Sequence, residues 1–239
     1  MQCLIVAAGE GSRLRAHGPL KPLVTLDGVS LIERVILGAR KGGATAFIVV
    51  SGYLGETLRA ALDDFAARTG IPITHVINDE WKRANGVSVL KARDALGGRP
   101  FLLSMCDHLA DPAIIRGLIA GSRKADSVTL ATDFNIVDPL NDIEDVTRVR
   151  CERGHIRAIG KLIDDYNAFD TGFFLATSAF FPALEESSAL GDDSISGAMR
   201  RLAARDLALT HDIGNHVWLD VDDGVAYDKA LTLVREGRL

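Results

Sequence analysis

At 239 residues, with 47% hydrophobic and 25% charged side chains, the chain is long enough to bury a core that folds without staples, and its composition excludes wholesale disorder and fibrous repeats. A formal net charge of −5 argues against a dedicated nucleic-acid binder, whose phosphate contacts call for a basic excess. It leaves room for a few cations gathered at one phosphate pocket.

Taken in chain order, the first half alternates short apolar runs with helical patterns. Cys3–Ala7 reads as a buried strand, and Ser30-Leu31-Ile32-Glu33 is a capping box that opens a helix to about Lys41. Phe47–Val50 is the next strand, followed by an amphipathic helix over about Gly55–Arg68 that stops at Gly70. A third strand at Ile73–Ile77, a helix over Val87–Leu96, a fourth strand at Phe101–Met105 and a helix from the Asp111-Pro112 cap to Ala120 follow. Strands that are apolar throughout, alternating with helices, predict a parallel sheet covered on both faces. The pattern then changes. Ser127–Thr132, Thr147–Cys151, Ile156–Ile159 and Gly172–Ala176 read as strands joined by short turns, which predicts a mixed or antiparallel extension. Helices over 178–187 and 194–204, two short strands and a last helix from Asp223 complete the chain. No linker, repeat or low-complexity tract interrupts it, so a single α/β domain spanning residues 1–239 is expected.

Compartment follows from absences in the sequence. Cys3, Cys106 and Cys151 stand far apart in apolar stretches with no ligand spacing, as buried small hydrophobes in a reducing compartment do. The amino terminus lacks a basic n-region, and no apolar run is long enough to span a bilayer. A cytoplasmic protein without direct membrane insertion is expected.

The strongest local signal is Leu4-Ile5-Val6-Ala7-Ala8-Gly9-Glu10-Gly11-Ser12-Arg13-Leu14, a buried strand that runs into a turn of small residues. Such a turn lets backbone N–H groups approach a phosphate that side chains would otherwise block. A dinucleotide fingerprint is incomplete, because Leu14 stands at its third glycine and the nearest acid, Asp27, sits in a Leu-Asp-Gly turn. No Gly-Lys-Ser/Thr follows for a phosphate loop either. Arg13 and Lys21, the latter in Lys21-Pro22-Leu23, supply the cations a triphosphate requires. Ala7–Leu14 with Lys21–Leu23 resembles the signature of the sugar-phosphate nucleotidyltransferase family, which implies a Rossmann-like fold and transfer of a nucleotidyl group with release of pyrophosphate.

Two acidic stretches suit a metal. Asp107 follows the strand Phe101–Met105 and should face the crevice beyond the carboxyl ends of the strands. A carboxylate beside a triphosphate needs a cation between them, and Mg²⁺ is the usual one. Near the other end, Trp218-Leu219-Asp220-Val221-Asp222-Asp223 places Asp220 and Asp222 on one face of an extended segment. The helix N-cap falls to Asp223 or Asp222, and Asp107, Asp220 and Asp222 are the candidate ligands. In the resembled family an Asp ending the fourth strand and a Trp-x-Asp near the carboxyl end hold the metal. His108 adjoins Asp107 and could touch an acceptor. No Ser/His/Asp or Cys/His arrangement presents itself.

Further stretches narrow the resemblance. Asn78-Asp79-Glu80-Trp81, Asn85–Ala92, Ser104–His108, Ile159-Gly160-Lys161, Asp170–Phe174 and Trp218–Asp222 are similar, in order and spacing, to the inositol-phosphate cytidylyltransferases that form CDP-inositol from CTP and inositol 1-phosphate. That resemblance implies Ala7, Ala8, Gly9, Gly11, Ser12, Asn85 and Gly86 around the nucleotide. It places Lys161 at the acceptor phosphate, and Asp170 and Thr171 along the acceptor pocket. Val87, Cys106 and Asp223 depart from the family's usual aromatic, Gly and Thr. The implied partners are CTP and a phosphorylated small alcohol, with any membrane CDP-alcohol transferase expected downstream as a separate protein and a homodimer left open. Choline phosphate, a phosphonate or a hexose 1-phosphate as acceptor, UTP as donor, and a catalytically silent subunit of the same fold are the alternatives. Phe169, Phe173 and Phe174 flank the acceptor segment, but the scarcity of Tyr and Trp disfavours an aromatic box for a quaternary ammonium and favours a polyol.

Overall fold

In the computed structural model, which describes residues 1–121, 124–137 and 140–239, strand β1 (Gln2–Ala7) explains the layering by itself. Cys3, Ile5 and Ala7 enter one hydrophobic core, and Leu4 and Val6 enter a second on the opposite face. A strand buried on both faces in this way belongs at the centre of a covered sheet.

The first half adds a hairpin, β2 (Thr25–Leu26) and β3 (Val29–Ser30), and helix α1 (Leu31–Lys41). Next come β4 (Ala46–Ser51), α2 (Gly55–Thr69) and β5 (Ile73–Ile77). They are followed by α3 (Asn85–Lys91), α4 (Arg93–Leu96), β6 (Phe101–Met105), β7 (His108–Ala110) and α5 (Pro112–Ala120). The second half comprises β8 (Val128–Asp133), β9 (Arg148–Glu152), β10 (His155–Gly160), β11 (Ala168–Ala176), α6 (Phe180–Ala189) and α7 (Ile195–Ala203). The chain closes with β12 (Ala208–Asp212), β13 (Trp218–Asp220) and α8 (Gly224–Arg235). Local chemistry sets several of these ends. Ser30 and Glu33 form the reciprocal capping box of α1, Asp111 caps α5, Asp223 caps α8, and Gly70 ends α2 with φ 67°.

The main sheet has the order β5-β4-β1-β6-β11-β8-β12-β10-β9. Strands β5, β4, β1 and β6 are parallel, as their apolar runs predict. From β11 onward the pairing turns antiparallel, apart from β12 beside β8. The extension also curls, because β9 pairs with β10 and again with β11. Helices α1, α2, α5 and α8 cover one face; α3, α4, α6 and α7 cover the other.

The structure differs from the sequence expectations at three places. The helix over Val87–Leu96 breaks at Ala92 into α3 and α4. β11 begins at Ala168 rather than Gly172, since the Asp-Thr-Gly that resembles a turn is a bulge within the strand, where its register against β8 shifts. β7 is too short to be read from periodicity and exists through its pairing with β13. The three cysteines are buried and free, and among the described residues no helix is long and apolar enough to cross a membrane.

Candidate functional site

Beyond the carboxyl end of β1 the chain enters the glycine turn. Ala7 and Ala8 are buried, and the Ala8 carbonyl accepts from the Tyr53 N–H at 2.9 Å. The two glycines differ in their surroundings. A Cβ on Gly9 would meet nothing within 4 Å, so its backbone faces open space. Gly11 has φ 60°, and a Cβ there would lie 2.4 Å from the Lys21 Cβ. Gly11 thus lets the Lys21 stem pass against the turn. Ser12, Arg13 and Leu14 form a short 3-10 turn that buries Leu14 and turns Arg13 outward.

Lys21 is only 5% exposed, a burial an ammonium tolerates only when paired. Its Nζ lies 2.5 Å from Asp107 Oδ2 and also pairs with Asp222. Arg13 is shared between Asp222 and Asp145, and Asp145 Oδ1 lies 3.2 Å from Lys161 Nζ. The result is a row of alternating charge, Asp107–Lys21–Asp222–Arg13–Asp145–Lys161, drawn from five separate segments. Burial opposes the charge on Lys21, but Asp107 and Asp222 outweigh it and hold the ammonium above its ordinary value. Burial, with Asp220 close by, raises the Asp222 carboxyl despite Lys21.

The pairing of β7 with β13 sets Asp220 directly opposite His108, although 112 positions of sequence separate them. His108 Nε2 lies 3.4 Å from Asp220 Oδ2 and 3.7 Å from Asp107 Oδ1, and its Nδ1 donates to the Thr171 carbonyl at 2.8 Å. Gly172 makes that approach feasible: its φ is 77°, and a Cβ would fall 2.1 Å from His108 Nδ1. Burial opposes an imidazolium here, but Asp220 and Asp107 overcome it and raise the His108 pKa. The β13 strand is itself anchored. Asn141 accepts from the Asp220 N–H at 2.8 Å and donates to the Trp218 carbonyl, and Asp133 accepts from Trp218 Nε1 at 2.8 Å.

One ligand atom from each of Asp107, His108 and Asp220 lies within 4.8 Å of the others. Asp107 Oδ1 and Asp220 Oδ1 are buried and find no hydrogen-bond partner among the described residues, which suits oxygens aimed at a cation. These residues therefore fit a divalent ion. Asp222, grouped with them from sequence, instead sits one step away between Lys21 and Arg13.

Beside this cluster lies a cavity of about 550 Å³, lined among others by Asn85, Asp145, Lys161, Asp170, Asp220 and Asp222. Burial raises the Asp170 carboxyl to about 6, even though its Oδ1 accepts from the Gly172 N–H. Two residues expected at the substrates meet protein instead. Gly86 lies against the Asp193 carbonyl, where a Cβ would approach to 2.4 Å, and the buried Thr171 hydroxyl donates to the Ala131 carbonyl. Asn85 lines the cavity and also accepts from the Ile195 N–H. Of the phenylalanines, Phe169 and Phe173 are in the core and Phe174 borders the cavity. No motif in the sequence marks out a role for Asp145, Asn141 or Gly172; Asp145 stands in an acidic turn, Asn141-Asp142-Ile143-Glu144-Asp145, that reads as solvated loop.

The chain is similar to known proteins along most of its length. It is 33% identical over 222 residues to the bifunctional IPC transferase and DIPP synthase of Rubrobacter xylanophilus, covering 91% of this chain and 48% of that protein. It is 31% identical over 229 residues to the protein of the same name in Thermococcus kodakarensis, covering 92% and 48%. The chain thus spans about half the length of the curated relatives it matches. The solved structure of the inositol-1-phosphate CTP transferase from T. maritima aligns over 99% of this chain and 96% of that one, with a TM-score of 0.85 and 25% identity. UDP-glucose pyrophosphorylase complexed with UDP-glucose shares the fold, with a TM-score of 0.82 at 17% identity over 99% and 98% of the two chains. Residues 3–205, from β1 to just beyond α7, match the family described as MobA-like NTP transferase domain, and the chain belongs to that family.

Proposed function

We propose that this protein is a CTP-dependent nucleotidyltransferase that transfers CMP to inositol 1-phosphate, or to a close phosphorylated polyol, forming CDP-inositol and pyrophosphate within a single domain. The observation that carries the reading is the convergence of Arg13, Lys21 and Lys161 with Asp107, Asp220 and Asp222 at one end of the sheet, beside a cavity large enough for a polyol phosphate. The name of the T. maritima structure supports the choice of CTP and inositol 1-phosphate.

The chemistry asks little of an acid or base. A phosphate monoester has a second pKa near 6, so at pH 7 much of it is a dianion that attacks without a general base. An oxygen of the acceptor phosphate forms a bond to the α-phosphorus of CTP, and the bond from that phosphorus to the bridging oxygen of the β-phosphate breaks, releasing pyrophosphate. The protein must hold two anions in line and neutralise them. In this reading the open backbone at Gly9 approaches the triphosphate, Arg13 and Lys21 offset its charge, and Lys161 meets the acceptor phosphate. Asp107 and Asp220 would hold a divalent ion, taken as Mg²⁺, which would supply positive charge to offset that of the phosphates. His108, fixed by its Nδ1–H bond to Thr171, keeps Nε2 turned to those carboxylates.

Pyrophosphate release measured for each of four nucleoside triphosphates against inositol 1-phosphate, glucose 1-phosphate, choline phosphate and a phosphonate tests the reading. Turnover should be greatest with CTP and inositol 1-phosphate, require Mg²⁺, and disappear in Asp107→Asn. A preference for UTP with glucose 1-phosphate, or Mg²⁺-independent turnover, would refute it.

A further inference from the structure

Asp145 is the one carboxylate in the row of charges that holds two cations assigned to different substrates. It pairs with Arg13, which the proposed reaction gives to the triphosphate, and its Oδ1 is 3.2 Å from Lys161 Nζ, which that reaction gives to the acceptor phosphate. A carboxylate is small, so the two cations it bridges are brought nearly together. Two phosphates reacting in line must also meet at one place. The Asp145 carboxylate therefore sits where the attacking and attacked phosphates would converge.

The charges in this row balance without ligands, three carboxylates against three cations. When substrates enter, phosphate oxygens compete for all three cations. Asp107 still has His108 Nε2 3.7 Å away, whereas Asp145 loses Arg13 and Lys161 together and is left beside two anions. Both of its ion pairs are partly solvated, with side-chain exposures of 36% for Asp145, 50% for Arg13 and 52% for Lys161, so they are weak enough to be broken. Arg13 and Lys161 hold the Asp145 carboxyl below its ordinary range against the effect of its burial, so it is ionised at neutral pH and repels incoming phosphate.

We propose that Asp145 is a displaceable counter-ion that occupies the position of the reacting phosphates, and that its release by one substrate assists the binding of the other. This rests on the assignment of Arg13 and Lys161 to two different anions, and on nothing about the base or the alcohol. The first anion breaks the bridge and expels the carboxylate, after which the second meets a cation already freed. Asp145 makes the empty site a poor general anion trap and links its two halves.

Calorimetric titration in EDTA with inorganic pyrophosphate and inorganic phosphate as probes tests this without relying on turnover. Asp145→Asn should bind pyrophosphate about five- to twenty-fold more tightly than the unaltered protein, the range expected from losing two partly solvated ion pairs and a nearby repulsion. Saturation with pyrophosphate should tighten phosphate binding several-fold in the unaltered protein and leave it unchanged in the variant. Asp145→Glu, which keeps the charge on a stem one methylene longer, should restore most of the original behaviour. Glu144→Gln removes a charge from the adjacent exposed position and should leave both affinities as they were. Unchanged or weaker pyrophosphate binding in both Asp145→Asn and Asp145→Ala overturns the proposal, as does an equal gain in Glu144→Gln. If the unaltered protein releases no pyrophosphate from CTP with any phosphorylated alcohol, the functional reading fails while these titrations still decide the role of Asp145.

Discussion

Lys21 offers the sharpest test of how the site is held together. Replacing it with Met keeps the apolar stem that lies against Gly11 and removes only the ammonium. Asp107 and Asp222 then lose the ammonium they share, and only Arg13 still pairs with Asp222, while their side chains are just 17% and 28% exposed. Breaking a buried ion pair by deleting one partner costs about 3–5 kcal/mol, and the residual exposure of these carboxylates together with the Arg13 that stays on Asp222 lowers this to about 2–4 kcal/mol. For a chain of this size that loss lowers Tm by very roughly 4–16 °C. The measurement is thermal and urea unfolding in EDTA. Adding Asp222→Asn to Lys21→Met should recover part of the loss, because one of the stranded charges disappears. Millimolar Mg²⁺ should stabilise Lys21→Met more than the unaltered protein, since the carboxylates no longer have a competing ammonium. A variant that unfolds within 2 °C of the unaltered protein would refute the reasoning, since Lys21 would then not be what neutralises the cluster.

Three further outcomes separate ligand-facing from structural positions. Gly9→Ala should leave Tm within about 1 °C, because its Cβ meets open space, yet weaken CTP binding; Gly11→Ala should lose about 1–3 kcal/mol in urea unfolding from its left-handed backbone and the collision with Lys21. Gly172→Ala should lose a similar amount, as the new Cβ strikes His108 and displaces its bond to Thr171, and equal stability of this variant and the parent would discount that packing. Asp170→Asn tests the raised carboxyl. Because the folded pKa of about 6 lies above the ordinary 3.8, ionisation of Asp170 favours unfolding, so its cost is absent below pH 3.8, grows as pH rises towards 6 and is constant beyond. In EDTA the Asn variant should therefore gain up to about 3 kcal/mol over the parent by pH 7 and lose that advantage towards pH 4, and a pH-independent difference would contradict the burial argument.

Much of this protein is written locally in its sequence. The apolar runs of β1, β4 and β6 and the helix caps at Ser30, Asp111 and Asp223 depend on spacings of two to four residues, which a linear reading detects. The glycine turn with Arg13 and Lys21, and the acids Asp107 and Asp220, were legible for the same reason, since each lies at the end of a readable element. Tertiary structure alone decided which of these residues meet. The β7–β13 pairing, too short to be seen in either segment, sets His108 against Asp220 and brings Asp107 within reach. Tertiary packing likewise turned Gly86 and Thr171 towards protein, set Gly11 against Lys21, and placed Asp145 between Arg13 and Lys161. Periodicity reports which face of an element is buried, because burial repeats along that element. It carries no information on what lies opposite, because that partner is chosen by chain closure over separations that run from 10 residues for Gly11 and Lys21 to 132 for Arg13 and Asp145.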